Sequence, residues 1–218
     1  MIIHTFGDSH ASNIHGGWDN SKMNLPVPIK SNHLGPKLMY SFGRDKNYLF
    51  SHNTVSEGDA VVFCFGEIDC RCHVGKYSPA WKENIDMLVD NYFQAIKLNA
   101  AQYENLTVMV FNVVPQIERE SPENAWMLPY QRNAPHVGTD PQRSEYTKYM
   151  NKKIAEFCGK NNYIFIDVYD KYCNGKGFLQ EDLSDKNCHI SNPVYISEFI
   201  ISILWPEIII LNEGNHEL

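Results

Sequence analysis

Three residues far apart in this chain have the types that an activated nucleophile needs: Ser9, Asp185 and His189. A serine hydroxyl is unreactive at neutral pH until a base takes its proton, and the imidazole base needs a third group to fix its tautomer. Ser9 follows an apolar run, Ile2-Ile3-His4-Thr5-Phe6, that breaks at Gly7-Asp8. A strand ending in a sharp turn delivers the next side chain to the C-terminal edge of a sheet, where open α/β sheets bind ligands. Asp185 stands four residues before His189 in a polar loop, so one loop can supply base and orienter, with Asp182 as a fallback. Each feature also has a plainer reading. Gly-Asp-Ser is ordinary turn chemistry, and an Asp near a loop His commonly makes a surface hydrogen bond.

A second polar cluster, Gly66-Glu67-Ile68-Asp69-Cys70-Arg71-Cys72-His73, comes straight after an apolar run. Glu67, Asp69 and Arg71 in that position fit the edge of a site. Cys70, Cys72 and His73 are metal-ligand types, but a structural zinc site needs a fourth ligand and usually a Cys-x₂-Cys turn. No metal and no cofactor are expected. Arg143, near the start of a helical pattern, reads either as a solvated arginine or as one reaching into a cleft.

The elements that must position these groups follow from hydrophobic patterning. Residues 59–66, 106–114 and 163–168 are continuous apolar runs closed by Gly, Pro or polar residues, as buried strands are. A helix is expected to open at Ser78-Pro79, with Trp81, Ile85, Leu88, Val89, Tyr92, Phe93 and Ile96 on one face. A second opens at Asp140-Pro141 and stops at Gly159, and a third covers Pro193 to Leu204. Short helices are expected at His10–Ile14 and Lys37–Phe42. Residues 16–37 read as irregular, with one short strand near Val27–Ile29. Residues 116–138 have no period, and a segment of that length is usually functional. Its Trp126, Tyr130 and His136 could stack on a sugar or cover an acyl group, or simply anchor the loop. Alternating strands and helices, with strands that lack polar alternation, predict a parallel sheet covered on both faces. No repeat or linker divides the chain, so one domain over 1–218 is expected.

The order and spacing of Gly7-Asp8-Ser9-His10, Gly66-x-x-Asp69 and the Asp185/His189 pair resemble blocks I, III and V of the SGNH (GDSL-type) hydrolase superfamily. That resemblance implies a three-layer α/β/α sandwich with a parallel, flavodoxin-like central sheet, and ester chemistry through an acyl-serine. Carried over, Ser9 resembles the nucleophile and its backbone N–H one oxyanion donor; His189 resembles the base and Asp185 its orienter. The block II glycine is Gly35, with Gly43 as competitor. Two departures stand out. Ile68 occupies the place of an asparagine that donates to the oxyanion, and losing one such donor typically costs about 10²–10³ in rate. Arg71 or Asn112 could substitute; Arg71 could equally bind a substrate anion or pair with Asp69 or Glu67. The Asp185–His189 spacing is also one residue longer than the family's.

The remaining expectations come from composition. A net charge of −7 without a basic stripe argues against nucleic acid. No apolar run is long and unbroken enough to span a bilayer, and Met1 leads straight into a strand with no leader pattern. Six cysteines in 218 residues do not suggest a disulfide scaffold. A cytoplasmic location follows as the default, and the Asn105-Leu106-Thr107 sequon then carries no glycan. Within the hydrolase reading, the polar loop and charged block III favour an O-acetylated carbohydrate as the ester. The alternatives are an O-acyltransferase of polysaccharide assembly and a non-catalytic carbohydrate-binding domain. Oligomeric state is not legible.

Overall fold

The structure, a computed structural model, describes residues 1–46, 54–119 and 136–208. Five strands form a wholly parallel sheet: β1 (Ile3–Gly7), β2 (Ile29–His33), β3 (Ala60–Cys64), β4 (Thr107–Phe111) and β5 (Ile164–Ile166), in the order β2-β1-β3-β4-β5. The central pair aligns Ile3 with Ala60 and Gly7 with Cys64. This is the flavodoxin-like order, and its strand order reverses at β1, which carries the Ser9 turn.

Successive side chains of a strand point to opposite faces. Val61 and Phe63 of β3 therefore enter one core cluster, and Ala60, Val62 and Cys64 the other. The first cluster is closed by α2 (Met39–Asp45), α4 (Trp81–Ala100) and α5 (Asp140–Asn161), through Phe42, Val89, Phe93, Met150 and Ile154. The second is closed by α1 (Asn20–Met23) and α6 (Val194–Leu204), through Met23, Ile196 and Ile200, with Trp18 edge-on to Phe111. Both faces are covered, so β3 and β4 are apolar at nearly every position, and the buried His4 and Thr5 of β1 are hydrogen-bonded, to Asp59 and to the Ala11 carbonyl. That is why β3 and β4 read as unbroken runs.

Several boundaries differ from the sequence reading, each for a local reason. Residues 16–37 hold α1 as well as β2, which begins at Ile29, where the expected strand was to end. β2 is an edge strand with half-exposed Lys30, Ser31 and Asn32, so it has no apolar run to read. The helix expected from Ser78-Pro79 starts at Trp81, because Ser78 closes a 3₁₀ turn over Val74–Tyr77. α5 continues through Gly159 and ends at Asn162, whose left-handed φ of 54° supplies the cap expected from the glycine. Its N-terminus is as expected, with Thr139 and Gln142 completing a capping box. The short helix expected over His10–Ile14 shrinks to a 3₁₀ turn, Ser9–Ala11, and Glu67–Cys72 forms a helix, α3, that the reading had not assigned. Trp126 and Tyr130 lie outside the described residues. No helix among the described residues is long and apolar enough to cross a membrane.

Candidate active site

The three chemistry-bearing residues meet at the C-terminal edge of the sheet. β1 stops at Gly7, where it passes so close to β3 that an added Cβ would sit 1.9 Å from the Cys64 carbonyl oxygen. The chain then turns over Asp8, whose carboxylate accepts the His10 backbone N–H at 2.8 Å and fixes the 3₁₀ turn that presents Ser9. From 180 residues away His189 Nε2 reaches Ser9 Oγ at 2.9 Å, and its Nδ1 lies 2.8 Å from Asp185 Oδ2. A neutral imidazole can donate from Nδ1 to the carboxylate and accept at Nε2 from the serine hydroxyl.

The base loop explains how one extra residue between Asp185 and His189 is absorbed. Lys186 takes a left-handed φ of 63°. Asp185 Oδ1 then accepts from both the Asn187 and the His189 backbone N–H, and the Asp185 N–H donates to the His189 carbonyl. An antiparallel bridge between Ser184 and Ile190 closes the loop's base. Burial opposes ionisation of Asp185, yet the His189 imidazole and those N–H groups hold its carboxyl below the usual carboxylate range. Asp182 sits in a separate 3₁₀ turn, Glu181–Leu183, and is exposed, whereas Asp185 is the carboxylate that meets His189 Nδ1.

The two candidate block II glycines separate on packing. Gly35 has a φ of +73° and nothing within 4 Å of where a Cβ would stand, in the turn after β2. The turn is anchored beside the nucleophile, since the Leu34 N–H donates to the Gly7 carbonyl. Gly43 lies within α2, where a Cβ would come within 2.9 Å of the Asn91 and Tyr92 backbone of α4. Gly43 is thus a helix-packing glycine, and Gly35 is the one on an open turn at the sheet edge.

The other candidates divide into a buried charge network and structural clasps. Glu67 is buried and takes a two-pronged grip from Arg71, at 2.7 Å from Nε and 3.0 Å from the second terminal nitrogen. Burial opposes the Glu67 charge, but Arg71 and then His10 hold its carboxyl below the ordinary value. Of the roles open to Arg71, the pairing with Glu67 is the one formed. Asp69 accepts the Met39 and Tyr40 backbone N–H groups at 2.8 and 3.2 Å, capping α2. Burial raises its carboxyl to about 7 in spite of those bonds. Asn112 corrects the expectation of a substitute oxyanion donor. Its amide donates to the Val113 carbonyl and accepts the Val168 N–H, stitching the ends of β4 and β5. Arg143 is not the solvated arginine of the plainer reading: it is buried and paired with Asp140.

Cys70 and Cys72 are buried, and Cys70 packs against Met150 of α5, as small core hydrophobes do. His10, Cys188 and His189 bring ligand-type atoms within 4.8 Å of one another. Both His10 nitrogens, however, are already engaged, with Asp8 Oδ1 at 2.9 Å and the Cys188 carbonyl at 2.9 Å. Sequence reasoning passed over His10. Its signal was an Asp two residues before a His, inside the nucleophile turn. His136, from the long segment, is half-buried near Arg71, where burial and then the Arg71 charge lower its imidazole to about 4. The Val137 N–H beside it donates to the Arg71 carbonyl.

Comparison with known proteins was made on sequence and on structure. No protein-family model matches the chain, and no curated protein matches its sequence. Solved structures do match. A GDSL-like lipase from Bacteroides thetaiotaomicron superposes with a TM-score of 0.62 at 15% identity, over 94% of this chain and 88% of that one. A lipase from a goat rumen metagenome gives 0.58 at 13% identity, over 93% and 96% of the two chains. The aryl esterase of M. smegmatis gives 0.57 at 13% identity, over 93% and 99%. At such identities the likeness is one of fold, and it spans nearly the full length on both sides. The chain has the α/β/α fold of the SGNH/GDSL-type hydrolases, in a divergent form.

Proposed function

We propose that this protein is a serine ester hydrolase working through an acyl-serine. The observation that carries the reading is the unbroken line of contacts from Ser9 Oγ through His189 to Asp185, at 2.9 and 2.8 Å. In the proposed cycle Ser9 Oγ attacks the ester carbonyl carbon while its proton passes to His189 Nε2. The Ser9 and Gly35 backbone N–H groups, neither of which has an acceptor among the described residues, hold the oxyanion. His189 returns the proton to the departing alkoxide, and a water activated the same way cleaves the acyl-serine.

A cavity of about 10 Å³ beside the nucleophile turn, lined by Asp8, His10 and Glu67, has room for about one water. An apolar cavity of about 560 Å³ exists, but its walls are Tyr195, Phe199 and Ile201 of α6 with Val168, and it includes no triad residue. The charged stretch Glu67-Asp69-Arg71 and the polar, aromatic-bearing segment 116–138 favour an O-acetylated carbohydrate over a lipid as the ester. Hydrolysis of p-nitrophenyl acetate and covalent labelling by a fluorophosphonate test the reading together. Labelling of wild type but not of Ser9→Ala is the expected result. Failure of folded wild type to label would overturn it in favour of a binding domain that kept the fold.

A further inference from the structure

Residues 9 and 189 are joined by a folding problem: the nucleophile's turn and the base's loop are separate pieces of chain, and catalysis needs them aligned to within about 1 Å. His10 lies between them. Its Nδ1 is 2.9 Å from Asp8 Oδ1, and its Nε2 is 2.9 Å from the carbonyl oxygen of Cys188, the residue immediately before the base. The carbonyl can only accept. Asp8 Oδ1 already accepts the His10 backbone N–H, so it too acts as an acceptor. Both ring nitrogens must then donate, which only the imidazolium can do. The ring is 4% exposed and its centroid is 5.0 Å from that of His189.

We propose that His10 is a buried imidazolium clasp, a positioning residue that holds the His189 loop against the nucleophile's own turn. The proposal rests on Ser9 and His189 being nucleophile and base. The charged surroundings fit it from every side. Asp8 faces His10 from its own turn, Glu67 from α3 with Arg71 behind it, and His189 from the loop. The Cys64 and Cys188 thiols nearby are kept neutral by burial. Burial works against a charge on His10, but Asp8, Glu67 and the Cys188 carbonyl outweigh it and raise the imidazole to about 9.

Two near-isosteric variants separate the two bonds. The Gln amide nitrogen stands four bonds from Cα, like Nε2, and can keep the Cys188 bond. The Asn nitrogen stands three bonds out, like Nδ1, and keeps only the Asp8 bond. His10→Gln is expected to retain kcat for p-nitrophenyl acetate within about tenfold, while His10→Asn and His10→Leu lose about 10²-fold in kcat with KM little changed. Wild-type kcat should fall as pH rises through about 9, and His10→Gln should lack that limb. Equal activity of the Asn and Gln variants would overturn the clasp. Two readouts do not need activity: ¹⁵N shifts of the His10 ring at pH 7.5, expected to be doubly protonated, and hydrogen exchange of the 185–190 amides, expected to quicken in His10→Asn. A singly protonated ring, or unchanged exchange, would overturn the proposal. An inactive wild type would remove the hydrolase reading alone, and the clasp would then stand or fall on these two measurements.

Discussion

Two buried aspartate–histidine pairs sit at opposite ends of β1, and their electrostatics run in opposite directions. At the N-terminal end Asp59 accepts the backbone N–H groups of Ile2 and Ser56 and lies 3.2 Å from His4 Nε2. The other His4 nitrogen has no hydrogen-bond partner among the described residues, and burial lowers the imidazole below its usual value despite Asp59. At the C-terminal end His10 has an acceptor on each nitrogen and a second carboxylate, Glu67, nearby, and it is raised to about 9. Residue types are the same and burial is similar. What differs is the charge and the number of acceptors around the ring: Lys30 stands near His4 and pushes it down further, whereas His10 has no such cation among its main neighbours. One carboxylate does not offset the cost of burying an imidazolium, whereas two carboxylates and a carbonyl do. The lower pair ties a strand end together; the upper one joins the Ser9 turn to the His189 loop.

The sharpest test of that division compares losses of activity with losses of stability. Ser9→Ala and His189→Ala should each cut p-nitrophenyl acetate turnover at least 10³-fold, with melting temperatures close to wild type. Wild-type-like turnover in either would place the chemistry elsewhere. Asp59→Ala should do the reverse. It strands His4 and the Ile2 and Ser56 N–H groups, so chemical denaturation should register a loss of about 2–4 kcal/mol with kcat unchanged. An unaltered midpoint would mean that the lower pair is not a clasp.

The two histidines should also tilt the pH dependence of stability in opposite senses. His10 binds its proton more tightly folded than unfolded, so its contribution, about 3 kcal/mol, is complete below about 6.5 and disappears as pH rises through about 9. His4 is lowered, so the unfolded chain takes up a proton that the folded one refuses, and stability falls as pH drops below about 6.5. Urea titrations at pH 5, 7 and 9.5 should show the acid loss reduced in His4→Asn and the alkaline loss reduced in His10→Gln. Parallel pH profiles for both variants and wild type would refute the contrast. The smallest effect expected is at the upper end alone. Ile68, the second residue of α3 and half-buried, occupies the sequence position at which the family resemblance implies an oxyanion donor, and Ile68→Asn should raise turnover up to roughly tenfold. An unchanged rate would indicate that the hole is completed by other groups.

The sequence was most readable where one physical demand dominated. β3 and β4 declare themselves because both faces of the sheet are covered. Ser9, Asp185 and His189 had the right types, but it was the likeness of their order and spacing to a known family that singled them out from ordinary turn and loop chemistry. β2 escaped because an edge strand facing solvent keeps lysine, serine and asparagine. Asn112 misled because an amide in a strand looks available until its partners across β5 are known. Arg143 misled likewise: nothing in its neighbourhood announces that Asp140 will be buried beside it. His10 was invisible as a clasp for a plainer reason. Its decisive contact lies 178 residues away, with a backbone carbonyl that carries no residue signature at all.

The separation between Ser9 and His189 has a consequence in time. Residues joined across 180 positions cannot meet until the second has been made. At ribosomal speeds of about 5–20 residues per second, the nucleophile exists for about 10–40 s before its base is synthesised. Throughout that interval the serine is an ordinary alcohol. On the proposed hydrolase reading the polypeptide is inert toward surrounding esters until nearly the whole sheet is in place, so completion of the fold would itself be the activation step.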